Sequence, residues 1–186
     1  MDTRLSDAFA AAPRKRFLRP AERPFASVDA PLPIGFGVTN SQPTTVANML
    51  SLLDPLPGNR VLDVGAGSGW TTALLAHLVG PDGLVLGTER IPELVARASE
   101  AIAEWAQASV RLAVPGVLGY PERAPYDRIL VSAMAEELPD ELVEQLGPGG
   151  VLVIPVSGVM LRVVRGADGD MDVTRHGWYS FVPLIR

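Results

Sequence analysis

The run Val61-Leu62-Asp63-Val64 passes directly into Gly65-Ala66-Gly67-Ser68-Gly69. The first half has the character of a short buried strand. The residues that follow the glycines, with Leu74, Leu75, Leu78 and Val79 at helical spacing, read as a helix. Strand, glycine turn and helix in that order make a ligand cradle, because glycine places no Cβ between the backbone and a bound molecule. Dinucleotide sites use G-x-G-x-x-G to take a pyrophosphate, whereas here the spacing is G-x-G-x-G with Asp63 two positions ahead. That difference favours a nucleoside without pyrophosphate, such as S-adenosylmethionine. Glu89, at the end of a second apolar run from Leu84 to Thr88, is placed to accept both hydroxyls of a ribose. Asp63 is expected to face the amino-acid end of such a ligand, directly or through water, and to balance its ammonium. Plainer roles compete: a tight turn for the glycines, a solvated strand end for Glu89, and loop ordering for Asp63.

The elements that would hold these residues alternate between strand and helix. Pro92 opens a helix with Leu94, Val95, Ala98, Ile102 and Trp105 on one stripe. Val110–Val114 and Tyr126–Val131 read as strands, Pro139–Leu146 as a helix, and Gly147-Pro148-Gly149-Gly150 as a turn into a strand from Val151 to Pro155. Two further strands, Met160–Val164 and Asp172–Leu184, close the chain. This alternation predicts a doubly wound α/β fold, a mostly parallel sheet covered by helices on both faces. Ahead of it, Leu5, Ala8, Phe9 and Ala12 form a helix face ended by Pro13. A proline-rich arm follows, then a turn at Gly35-Phe36-Gly37. Ser41 ahead of Gln42-Pro43 reads as the N-cap of a helix carrying Val46, Met49, Leu50 and Leu53. We expect a single domain over residues 1–186. Residues 1–57 form the helical arm and active-site segment, and 58–186 the cofactor-binding core.

Composition narrows the function classes. The net charge of −5, with Lys and Arg scattered, argues against a nucleic-acid partner, which needs clustered basic residues. With no cysteine, and with His77 and His176 far apart, neither thiolate chemistry nor a metal site is expected. The N-terminus lacks the pattern of a signal peptide, and Val151–Val164 is interrupted by Pro155, Gly158 and Arg162. A cytoplasmic monomer with no membrane association is the expectation.

The chain also resembles the protein-L-isoaspartate O-methyltransferases. Pro31-Leu32-Pro33-Ile34-Gly35-Phe36-Gly37-Val38-Thr39-Asn40-Ser41-Gln42-Pro43 is similar to that family's signature ahead of the nucleotide fold, and residues 61–69 are similar to its cofactor loop. Gly119–Asp127, Leu146–Gly150 and Val182-Pro183-Leu184 follow in the same order. The resemblance implies a class I, Rossmann-like sheet of seven strands with an antiparallel C-terminal strand. It implies S-adenosylmethionine as cofactor, with Asp63, Gly65, Gly67, Ser68, Gly69, Glu89, Arg90 and Gly116 around it. It implies Ser41 and Thr39 at the reacting groups, and isoaspartyl proteins or peptides as substrates. Methyl transfer to an α-carboxylate asks little acid–base machinery, since a carboxyl with a pKa of about 4 is already ionised at neutral pH.

The sequence also departs from the family pattern. Asn40 stands where an apolar residue is usual, and Met134-Ala135-Glu136 where Ala-Pro is usual. Val114-Pro115-Gly116 lacks the acidic residue that contacts the adenine, a loss worth roughly 1.5–3 kcal/mol of cofactor binding. These departures leave two alternatives. One is a related enzyme acting on another carboxylate, such as an aspartate of a ribosomal peptide. The other is an inactive nucleoside-binding relative.

Overall fold

The computed structural model describes residues 3–186; Met1 and Asp2, part of the segment weighed as a signal peptide, lie outside them. Helix α1 (Thr3–Ala11) buries Leu5 and Ala8 and stops before Pro13, which cannot continue a helix. The arm then makes 3-10 turns at Arg14–Phe17 and Arg23–Phe25. Strands β1 (Leu32–Gly35) and β2 (Val38–Asn40) form a small antiparallel hairpin around Gly35-Phe36-Gly37, so part of the expected irregular arm is strand.

Helix α2 (Pro43–Leu53) begins one residue later than the Ser41 cap implies. Pro43 holds Gln42 extended (φ −58°, ψ 131°), which makes Gln42 the N-cap. The Thr44 N–H donates to Asp29 Oδ1 at 2.9 Å, so Ser41 caps nothing.

The main sheet has seven strands in the order β5-β4-β3-β6-β7-β8-β9. Strands β3 (Arg60–Val64), β4 (Leu84–Glu89), β5 (Ala108–Leu112), β6 (Tyr126–Val131) and β7 (Leu146–Val156) run parallel. Strand β8 (Val159–Arg165) runs against them, and β9 (Met171–Trp178) turns back beside it at the edge. Alternate residues feed opposite faces. Val61, Val85 and Leu130 pack with α1, α2 and helix α3 (Trp70–Val79), while Leu62, Leu86 and Ile129 pack with Leu118 and Leu142. Both faces are therefore covered, and the strand ends are left to carry chemistry.

Several boundaries differ from expectation. Helix α4 (Pro92–Ala101) ends in a turn that Trp105 closes on Ile102, so β5 enters two residues earlier than predicted and Val114 lies beyond it. Helix α5 is only Asp140–Val143. The glycines after it are absorbed into β7, which pairs Tyr126 with Leu146 and resumes at Arg128 with Val151, a bulge that takes up the extra residues. Among the described residues no helix is long and apolar enough to cross a membrane.

Candidate active site

Strand β3 has β4 on one side and β6 on the other. The loops that leave the C-terminal ends of β3 and β6 therefore diverge and open a crevice between them, the usual ligand position in such sheets. Gly65, Gly67 and Gly69 all have left-handed backbone (φ 81°, 56° and 86°), a conformation other residues adopt only with strain. The Gly65 and Ala66 N–H groups both donate to the Thr88 carbonyl, at 2.9 and 3.0 Å, which ties the loop to the end of β4. Glu89 completes the tie: Oε2 accepts the Gly67 N–H at 2.9 Å and Oε1 the Ile91 N–H at 3.0 Å. Each carboxylate oxygen has room for a second donor, and Glu89 lines the crevice with Arg90 at the rim. Val117, Leu118, Val182 and Ile185 supply an apolar wall.

Asp63 lies one layer beneath this surface, fully buried. Its Oδ2 accepts the hydroxyls of Thr71 at 2.8 Å and Thr72 at 2.7 Å, while Oδ1 is the one buried side-chain polar atom among the described residues with no partner. Burial pushes its carboxyl up to about 6; the two hydroxyls pull it down, and the Glu89 charge adds to the rise. A half-satisfied carboxylate under a glycine loop answers to any cation placed above it. Thr71 connects it to the surface, lining a small recess with Gly65–Ser68, Asn40 and Ser41.

On the other side of the loop the groups are hydroxyls. Thr39 and Ser132 line the crevice, the recess and an adjoining groove formed by Pro31, Gln42, Thr45, Ser180, Phe181 and Val182. Ser41 lines the recess and the groove. None of these three hydroxyls has a hydrogen-bond partner within the described chain. They mark the place where crevice and groove meet.

The structure separates the remaining expected residues from the crevice. Gly69 does not line it; a Cβ there would stand 3.1 Å from both Ala98 Cβ and Ile102 Cγ2, so this glycine lets α3 and α4 approach. Ser68 is buried and turned to the arm, its hydroxyl accepting from Asn40 Nδ2 at 3.2 Å. Gly116 is exposed on a turn closed by the Val117 N–H on the Val114 carbonyl, and residues 117–119 line the crevice in its place. Ser132 and the 182–185 stretch are residues the sequence reading missed. Ser132 had a signal: it follows β6, the strand beside β3 at the topological switch, where loop residues face the ligand. The C-terminal stretch reaches the crevice through mutual bonds with Met134, 2.7 Å each, and no local pattern announces such a contact.

Comparison with known proteins identifies this arrangement. The sequence matches the protein-L-isoaspartate(D-aspartate) O-methyltransferase family over residues 1–186. The chain belongs to that family. A protein-L-isoaspartate O-methyltransferase of Methanopyrus kandleri is 47% identical across 98% of this chain and 83% of its own length. One from Thermococcus onnurineus is also 47% identical, across 98% of this chain and 85% of its own. In three dimensions, a protein-L-isoaspartate O-methyltransferase from Plasmodium falciparum, crystallised with S-adenosyl-L-homocysteine, superposes with a TM-score of 0.86. It is 27% identical and is aligned over 98% of this chain and 90% of that one. The fold of this methyltransferase thus matches that structure along nearly its whole length.

Proposed function

We propose that this chain transfers the methyl group of S-adenosylmethionine to the α-carboxylate of L-isoaspartyl residues in damaged proteins and peptides, a repair reaction. The observation that carries the reading is the junction at Thr39 and Ser132, where the crevice beside the glycine loop and Glu89 opens onto a hydroxyl-lined groove. The residues present suit the cofactor. Glu89 has acceptor capacity for two ribose hydroxyls, Val117 and Leu118 offer an apolar face to a base, and the orphaned Asp63 oxygen lies under the loop that would carry the ammonium end. When bound, the cofactor supplies an electrophilic methyl on a sulfonium.

The chain's own contribution is placement. Thr39, Ser41 and Ser132 donate to the incoming carboxylate and aim one oxygen along the carbon–sulfur axis. The acceptor carboxylate is already ionised at neutral pH, so these residues have no proton to remove and no general base is required. The apolar wall excludes water, which would otherwise stabilise the carboxylate and slow its attack. The resulting ester closes spontaneously to a succinimide away from the enzyme. The acceptor is a protein or peptide, and the proposal extends to a single-domain monomer in the cytoplasm that works without nucleic acid, the last supported by the net charge of −5 and the scattered basic residues.

The test is transfer of labelled methyl to an isoaspartyl peptide beside its aspartyl twin. Label on the isoaspartyl peptide alone is expected. Equal labelling of both, or of neither, removes the repair reading.

A further inference from the structure

Arg14 is an arginine in an unusual place. It is only 6% exposed, and no carboxylate among the described residues lies within ion-pair distance of it. Burying an unpaired guanidinium is costly unless every N–H finds an acceptor, and here they do. Nε donates to Asn40 Oδ1 at 2.7 Å. Nη1 donates to Val28 O at 2.9 Å and reaches Ala26 O at 3.5 Å. Nη2 donates to Ala30 O at 2.7 Å, Ser41 O at 2.9 Å and Asn40 O at 3.1 Å. The flat cation also stacks over Trp70, 5.4 Å from the ring centroid, and Trp70 is itself fixed by donation to Ala12 O at 2.9 Å.

A structural clamp for the arm would need only the carbonyls of residues 26–30. The other three bonds land elsewhere: on the backbone of Asn40 and Ser41, and on the Asn40 side chain. Asn40 is buried, the polar residue that stands between the two hydroxyl-bearing positions, and its amide passes the connection on to Ser68 in the glycine loop at 3.2 Å. One guanidinium thus grips the segment that presents Thr39 and Ser41, and through Asn40 fixes that segment to the cofactor loop. The spacing between them decides whether the acceptor oxygen can lie in line with the methyl group.

We infer that Arg14 and Asn40 are positioning residues for methyl transfer, setting the distance between the hydroxyl-bearing segment and the glycine loop; this rests on the methyltransferase reading above. Neither touches the reacting atoms. Lysine cannot replace Arg14, because a point charge cannot serve acceptors on three sides in one plane. An apolar residue at 40 keeps the strand and breaks both side-chain links at once.

The experiment compares wild type, Asn40→Val, Arg14→Lys and the double variant for kcat on an isoaspartyl peptide, S-adenosyl-L-homocysteine affinity by calorimetry, and melting temperature. Asn40→Val is expected to lower kcat about 10- to 100-fold, the cost of a misplacement near 1 Å, while affinity changes less than about threefold. The double variant should be no slower than Arg14→Lys alone within about twofold, because the two residues act in one chain of bonds. Methylguanidinium added to Arg14→Ala should restore part of the turnover without raising the melting temperature. Where Arg14 variants do not fold, Asn40→Val still decides. An active wild type with an unchanged kcat in folded Asn40→Val overturns the inference, and so does a loss of kcat and affinity in equal measure. An inactive wild type overturns the methyltransferase reading instead, and the inference with it.

Discussion

The two sides of the reaction centre are built on opposite plans. On the cofactor side most polar groups are already engaged: Glu89 holds two backbone N–H groups, Thr88 O takes two more, and Asp63 is bonded through Oδ2 to Thr71 and Thr72, with only its Oδ1 left open. On the acceptor side Thr39, Ser41 and Ser132 are uncommitted. A prepaid framework suits a ligand of constant shape, since no reorganisation is needed on binding. Free hydroxyls suit a flexible peptide whose carboxylate arrives with varied neighbours, because a rotor can turn to meet it. The difference separates affinity from turnover.

That separation can be broken by substitution. Glu89→Gln should weaken S-adenosyl-L-homocysteine by roughly 30- to 100-fold in calorimetry, from the loss of charge-assisted bonds on a framework residue. A change under fivefold would show that the carboxylate serves only the loop. Asp63 offers a pH test. Its folded carboxyl, at about 6 against 3.8 for the ordinary group, holds its proton more tightly than the unfolded chain does. Stability contributed by that proton is therefore full below pH 4 and lost as pH rises through 6, by at most about 3 kcal/mol. Asp63→Asn should flatten this slope in melting curves between pH 4 and 7; an identical slope would mean that other groups set it.

On the acceptor side, Ser41→Ala or Thr39→Ala should each lower kcat about tenfold and leave cofactor affinity within about twofold, the reverse of the Glu89 pattern. Matching losses in both quantities would erase the contrast. The smallest effect is expected at Pro115→Asp. The family's acidic residue would here stand on the exposed turn ahead of residues 117–119, so the gain in cofactor affinity should stay under about fivefold, below the 1.5–3 kcal/mol of a full charged bond. A gain beyond tenfold would mean that the turn folds onto the ligand.

The core was legible in the sequence because its signals are local. Buried parallel strands are unbroken apolar runs, and the glycine turn lies between a strand and a helix that announce themselves. Boundaries failed where tertiary contacts outweighed local pattern: Gly147–Gly150 reads as a turn, yet a bulge against β6 carries it into β7. Ser41 looked like a helix cap because serine before proline is a common start, but Pro43 fixed Gln42 extended and Asp29 took the amide. The Arg14 network was invisible. Its bonds span 12 to 27 residues, and nothing in the basic run Arg14-Lys15-Arg16 tells a buried clamp from a solvated side chain.

The crevice borrows one wall from the stretch Val182–Ile185, which is fastened by two backbone bonds to Met134 rather than woven into the sheet. Anything joined after Arg186 would hang beside the entrance. A purification tag or fluorescent fusion at that end would crowd ligand entry and depress measured affinities without harming the fold, so handles for assay or display belong at the other end of the polypeptide.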